Sequence, residues 1–185
     1  MYKYIKHNIN NKNTSAGFTL IELLLVVILI GVLSGLVLSV INVSGIRARA
    51  RDTQRAGDVK RIQTALELYF ADRRGYPQNS ANWNRIPGVL GTALQGTYVQ
   101  VVPADPRDAE NIGSTQCGLT TYGYYYRTDA CVGAGCLSSR YVIMTIMETQ
   151  TSATQSSCSS LQNCSSGNVA DCNCAALCYG VENPL

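Results

Sequence analysis

Between Phe18 and Val43 the chain carries no charged residue except Glu22. A membrane-spanning helix needs about 20 predominantly apolar residues, and this run is long enough to span with some tilt. A carboxylate one turn into such a segment is costly, so Glu22 is a candidate functional residue that requires a partner. The alternative is a capping box, with Thr19 at the N-cap and Glu22 three residues further on. A cap of that kind normally sits in water, and this one would not.

The octamer Gly17-Phe18-Thr19-Leu20-Ile21-Glu22-Leu23-Leu24 follows a short leader bearing Lys3, Lys6 and Lys12 and no acidic residue. It resembles the class III signal of type IV pilins and type II secretion pseudopilins. The resemblance is close from Gly17 to about Val43 and looser to about Glu148; the residues beyond do not share it. Residue by residue, it implies cleavage after Gly17 by a prepilin peptidase and N-methylation of the new terminus at Phe18 by the same enzyme. Glu22 becomes the fifth residue of the mature chain. By the same resemblance Glu22 meets the Phe18 amine of a neighbouring subunit and sets axial register during filament growth. The implied partners are that peptidase and methyltransferase, other pilin or pseudopilin subunits in a helical polymer, the membrane platform protein of the assembly machine, and the bilayer before assembly. The implied location is the cytoplasmic membrane, crossed once with the C-terminal head outside, then a surface or periplasmic filament.

An ordinary secretory signal is the competing reading of the N-terminus. Ala48-Arg49-Ala50 fits an A-x-A site, but it follows a much longer apolar core and is surrounded by arginines. Leader removal takes three of the 15 basic residues and leaves 12 against 12 acidic ones, so net charge says little about partners. Orientation is contested. Arg47, Arg49, Arg51, Arg55, Lys60 and Arg61 follow the apolar run, and counting Lys and Arg alone puts the C-terminal part inside. All eight cysteines lie between Cys117 and Cys178, which favours an oxidising compartment and hence the outside.

Gly31, Gly35 and Ser39 recur every fourth residue and share one helix face, a stripe that permits close helix packing in lipid. Beyond Val43, Val59, Ile62, Leu66, Tyr69 and Phe70 form an apolar stripe at helical spacing. Read as one helix, Phe18 to Arg74 would extend about 85 Å, ending at Gly75 with Pro77 beyond it. Asp58, three residues from both Arg55 and Arg61, suggests weak ion pairs on a solvated face. The arginine run alone would suit nucleic acid or anionic lipid, but interleaved Asp52 and Asp58 weaken that, and no nucleic acid is assigned.

Val89 to Val101 reads as a short second helix interrupted by Gly91 and Gly96. Pro103-Ala104-Asp105-Pro106 is a turn resembling the proline–aspartate–proline loop that precedes the hairpin in major pseudopilins. Thr121–Thr128 and Arg140–Glu148 read as two strands joined by a Gly-rich turn. Tyr122, Tyr124 and Tyr126 alternate onto one face, and Val142, Met144 and Ile146 likewise; the tyrosines fit core and cross-strand pairs better than a binding platform.

The tail from Thr149 is rich in Ser, Thr, Gln, Asn and Cys and must be held covalently if it is ordered. Parity adds a constraint. Cys158, Cys164, Cys172, Cys174 and Cys178 lie in the tail, and Cys117, Cys131 and Cys136 lie around the hairpin. If all pair within the chain, at least one bridge joins the two groups. Cys131 with Cys136 is a local guess that leaves Cys117 to reach the tail, and on the order of a hundred connectivities exist. A metal at Cys172, Cys174 and Cys178 is disfavoured because the usual two-residue spacing is absent and the sole histidine is in the leader. Some pseudopilins bind calcium after the last strand, but this tail offers only Asp171 and Glu182. No catalytic set appears, no G-x-S-x-G and no Gly-rich phosphate loop, so no enzyme, metal or cofactor is expected.

The expected fold is therefore α+β and pilin-like: a long N-terminal helix, a small antiparallel sheet and a disulfide-rich tail. Its parts are a cleaved leader (1–17), a transmembrane half-helix (18–43), a head (44–148) and a Cys-rich tail (149–185). The first functional expectation is a structural subunit of a type IV pilus-like filament. The alternatives are a type II secretion pseudopilin and a monomeric membrane-anchored adhesin.

Overall fold

The computed structural model describes residues 17–40, 42–79, 82–129, 137–149, 158–164, 172, 174 and 177–184. The chain divides between Asn42 and Val43 into two compact units. In the first, helix α1 (Leu20–Val40) runs for 21 residues, and every described side chain from residue 17 to residue 37 is exposed. A helix that is apolar all round has no face to turn to water, which suits a core or a bilayer. At about 31 Å it matches the roughly 30 Å hydrocarbon layer, and Leu20–Val37 is long and apolar enough to cross a membrane.

The second unit begins with helix α2 (Val43–Arg73). The single helix expected from Phe18 to Arg74 is thus two, with Asn42 non-helical between them. Asn is favoured just before a helix because its side chain can accept a backbone N–H there, and a β-branched residue such as Val43 has a lowered helix propensity. Neither signal is as visible in sequence as a Gly or Pro.

Val59, Ile62, Ala65 and Leu66 of α2 are buried at steps of three and four, as the stripe requires, and Tyr69 packs partly buried against them, whereas Phe70 at the end of the stripe is exposed. They pack on a four-stranded antiparallel sheet of order β1-β4-β5-β6. Its strands are β1 (Asn84–Arg85), β4 (Tyr124–Thr128), β5 (Tyr141–Ile146) and β6 (Cys178–Glu182). Tyr126 pairs with Ile143, and Ile143 with Val181, placing all three in the core with α2. Helix α3 (Ile86–Leu94) adds Ile86, Leu90 and Leu94. It starts three residues before the expected Val89 because Pro87 suits a first helical turn. It stops at Leu94, ahead of Gly96 at φ 83°, rather than reaching Val101.

All six residues of β5 are buried, so the sheet is covered on both faces. The second face carries Tyr125, Val142, Met144 and Ile146. It is covered by the hairpin β2–β3 (Asn111–Gln116 and Leu119–Thr121), by Leu161 near a short 3-10 turn (Gln162–Cys164), and by cystines. Two expectations change here. Tyr122 lies before β4 and packs in this second cluster, apart from Tyr124 and Tyr126. The tail supplies an integral strand, β6, whose apolar content is too short to read as one.

Candidate functional site

Three groups of residues draw attention. The first is the N-terminal motif. Gly17 and Phe18 are exposed ahead of α1. Thr19 and Glu22 form a reciprocal capping box: the Glu22 N–H donates to Thr19 Oγ1 at 3.3 Å, while the Thr19 N–H and hydroxyl donate to Glu22 Oε2 at 3.4 and 3.3 Å. The capping geometry weighed from sequence is therefore present in the single chain. It satisfies part of the carboxylate's hydrogen-bonding capacity, yet no cation pairs with Glu22 among the described residues. Gly31, Gly35 and Ser39 all lie on α1, and nothing described comes within 4 Å of where a Cβ on either glycine would stand.

The second group is a buried charge cluster that sequence reasoning missed. Arg55, expected on a solvated face, has a fully buried side chain. Its Nε and Nη2 donate to Asp105 at 2.7 and 3.0 Å, and its Nη1 to Asp52 and Glu148, both at 2.8 Å. Glu148 also accepts from Arg51 Nε at 2.7 Å and Arg107 Nη1 at 3.1 Å. Asp52 accepts the backbone N–H groups of Glu148 and Thr149, each at 2.8 Å. The Tyr122 ring lies 4.8 Å from the Arg55 guanidinium and 4.5 Å from that of Arg107. Burial opposes the Arg55 cation, but the three carboxylates more than offset it and raise its pKa. Burial likewise pushes the Glu148 carboxyl up, but hydrogen bonds from Arg51 and Arg55 prevail and hold it at about 2. This cluster pins the proline-flanked Asp105 loop and the end of β5 to α2. Asp58, the partner expected for Arg55, instead accepts the Tyr124 hydroxyl at 2.9 Å and lies 3.6 Å from Arg61. Two signals were available in sequence: the i, i+3 spacing of Asp52 and Arg55, and an acid enclosed by two prolines.

The third group is the cystines. Cys117 bonds Cys178, and Cys164–Cys172 nests inside Cys158–Cys174. The first ties the β2–β3 turn to the start of β6, joining hairpin and tail. The local pair guessed for Cys131 and Cys136 lies outside the described residues, as does Asp171. Glu182 caps the 3-10 turn, accepting from the backbone N–H groups of Gln162 and Asn163 at 2.9 and 2.7 Å. Among the described residues no three His, Cys, Asp or Glu side chains are grouped to hold a metal ion.

Comparisons with known proteins agree with the motif. Residues 12–38 match the model of the prokaryotic N-terminal methylation motif. The chain is 30% identical over 96 residues to the type II secretion system core protein G of Escherichia coli K12, covering 49% of this chain and 65% of that protein. With the protein of the same name from Pseudomonas aeruginosa it is 30% identical over 111 residues, covering 51% and 70%. With that of Pectobacterium carotovorum it is 36% identical over 97 residues, covering 49% and 60%. The match thus spans about half of this chain and roughly two thirds of its relatives. No solved structure matches significantly.

Proposed function

This chain belongs to the family of type IV pilins and type II secretion pseudopilins, and we propose that it is a pseudopilin, the structural subunit of a short filament that serves protein export. The observation that carries this reading is the likeness to relatives named type II secretion system core protein G, spanning 70% of the Pseudomonas protein. It moves the balance away from the type IV pilus protomer expected first from the motif alone. The role is mechanical, with no catalytic step.

In this reading α1 anchors the subunit in the cytoplasmic membrane, with the head outside. Prepilin peptidase cuts after Gly17 and methylates Phe18, and the platform of the export machine adds the subunit to others of its kind. Glu22 drives assembly. An ionised carboxylate within the bilayer costs at least about 2.5 kcal/mol, and the Thr19 box supplies it with hydrogen bonds but no countercharge. Cleavage creates a cation at Phe18, and bringing it to a neighbour's Glu22 relieves two unpaired charges at once. The face bearing Gly31, Gly35 and Ser39 lets helices approach closely in the filament.

Deleting the gene tests the assignment. Loss of secreted proteins without loss of long surface filaments is expected; loss of surface pili with export intact would overturn it in favour of a pilus. Producing only Glu22→Val tests the assembly role. Intact mass should still show a chain starting at N-methyl-Phe18, while filaments disappear. Normal filaments from that variant would reduce Glu22 to a helix cap.

A further inference from the structure

Six basic residues follow the apolar run, and the folded head treats them differently. Arg51 and Arg55 are bound by Glu148, Asp52 and Asp105. Arg61 faces Asp58 at 3.6 Å, and Lys60 donates to Gln63 at 3.3 Å. Arg47 and Arg49, the two nearest to α1 in the chain, are exposed and have no carboxylate partner among the described residues. The same turns expose apolar side chains: Val43 is 48% and Ile46 57% accessible, whereas Val59, Ile62 and Leu66 of the same helix are fully buried. The start of α2 thus combines an apolar pair at i, i+3 with two unneutralised arginines, the combination that holds a helix in a membrane interface. Arginine stems can lie along apolar surface while their heads reach phosphate.

Connectivity restricts where this segment can be. Arg47 lies seven residues past Val40, the last residue of α1. Even a fully extended chain could not carry it more than about 25 Å from that helix end. We propose that residues 43–50 of the unassembled subunit lie in the headgroup layer, with Val43 and Ile46 at the acyl boundary and Arg47 and Arg49 on the phosphates of anionic lipids. The inference rests on the reading that α1 spans the bilayer before assembly. Anionic phospholipid is the occupant because it supplies the negative charge these turns lack; the same turns of a second copy would bring only more arginine. The contact also gives a use to cations that the charge rule alone would place on the inner side.

Hydrogen exchange on the full-length processed chain in lipid nanodiscs tests this. One set of discs is pure phosphatidylcholine, and the other is about one-third phosphatidylglycerol. Amides of residues 43–50 should exchange several-fold more slowly in the anionic discs. The slowing should vanish in R47Q/R49Q and in roughly 1 M salt, where the Debye length is about 3 Å. Amides of α1 should be protected in every sample. Equal exchange of residues 43–50 in both lipids, with α1 protected, overturns this inference and leaves the anchoring reading standing. Free exchange along α1 overturns both. Slowing that follows the number of subunits per disc, and not lipid charge, assigns the segment to a second copy and overturns the lipid contact.

Discussion

The two faces of the β1-β4-β5-β6 sheet are buried by different means. The face toward α2 is closed by side chains at helical spacing, Val59, Ile62, Ala65 and Leu66 against Tyr124, Tyr126, Ile143 and Val181. Each of the larger aliphatic side chains contributes roughly 1.5–3 kcal/mol by leaving water. Its tyrosines also have polar partners: the Tyr76 and Tyr141 hydroxyls donate to Glu67 at 3.0 and 2.8 Å, and Tyr126 donates to the Pro77 carbonyl at 2.8 Å. The opposite face is closed by a small hairpin and a polar tail that holds its position through cystines. A periodic helix can cover a sheet with apolar area alone. A tail dominated by Ser, Asn and Gln has too little area, and covalent links replace it.

The sharpest way to break the comparison is to remove the bridge between hairpin and tail. Cys117 and Cys178 are 61 residues apart, and closing a loop of that size stabilises by about 4 kcal/mol in the chain-entropy view. Replacing both by Ser should lower the melting temperature of the detergent-solubilised chain by on the order of 10 °C. Hydrogen exchange should accelerate first in residues 178–182, with residues 59–66 of α2 still protected. Uniform acceleration through both segments would mean that the two faces do not separate and the sheet is a single cooperative unit.

Next in size is Arg55→Ala, which acts on the junction of α2 with the Asp105 loop. The Asp105 side chain is fully buried and would lose the only cation paired with it among the described residues. Breaking a buried pair by removing one partner costs about 3 kcal/mol or more. Arg55→Ala combined with Asp105→Asn should recover part of that loss, because the fully buried Asp105 then carries no unpaired charge, while Asp52 keeps its backbone N–H donors. If the double variant is no better than the single one, the pair matters through packing on Tyr122 and not through charge.

These effects differ in how far they could be read before folding. The α2 stripe, the hydrophobic pairing of β4 with β5, and the need for a bridge from hairpin to tail follow from spacing and parity. The cluster around Arg55 does so only for Asp52, because its other carboxylates are distant in sequence. Asp105 is 50 residues and Glu148 93 residues from Arg55, and only the tertiary fold makes them neighbours. A run of arginines after an apolar segment looks solvated until the acids arrive. Strand β6 was hidden for a related reason: Cys178, Tyr179 and Val181 alternate sides, so each face receives too few apolar residues to mark a strand. Of the N-terminal motif, spacing disclosed the Thr19–Glu22 box, while the assembly role of Glu22 comes from resemblance and awaits the filament experiment.

Acid should separate the charge cluster from the cystine-held face. The Glu148 pKa is depressed from 4.5 to about 2 in the folded head. A depressed carboxyl stabilises the fold at pH above the unfolded value, and that contribution fades as pH falls from about 4.5 toward about 2. Thermal melts across this window should show declining stability, while bridge Cys117–Cys178 stays intact. Glu148→Gln should lower stability at neutral pH by less than Arg55→Ala does, since Arg55 keeps Asp52 and Asp105. It should also flatten the acid decline; an unchanged decline would shift the responsibility to other carboxyls.

The smallest expected effect probes how tightly the tail covers its face. Gly180 stands opposite Met144 in the β5–β6 ladder. A Cβ there would come within 2.6 Å of Leu161 Cδ1 and 3.3 Å of the Ile143 carbonyl oxygen. The first atom ends a flexible side chain and can move; the second is backbone and sits at a tight but tolerable distance. Gly180→Ala should therefore cost about 1 kcal/mol, the low end for overpacking. The cost should shrink when Leu161 is also changed to Ala, because the displaced atom is then absent. Leu161→Ala alone should destabilise through lost burial, so a cycle of the three variants isolates the contact. A coupling near zero would mean that Leu161 already has room to swing aside, and that the tail covers this face loosely, held by its cystines alone. A coupling close to the full cost of Gly180→Ala would mean that the tail, once bridged, packs as closely as the helix does on the other side.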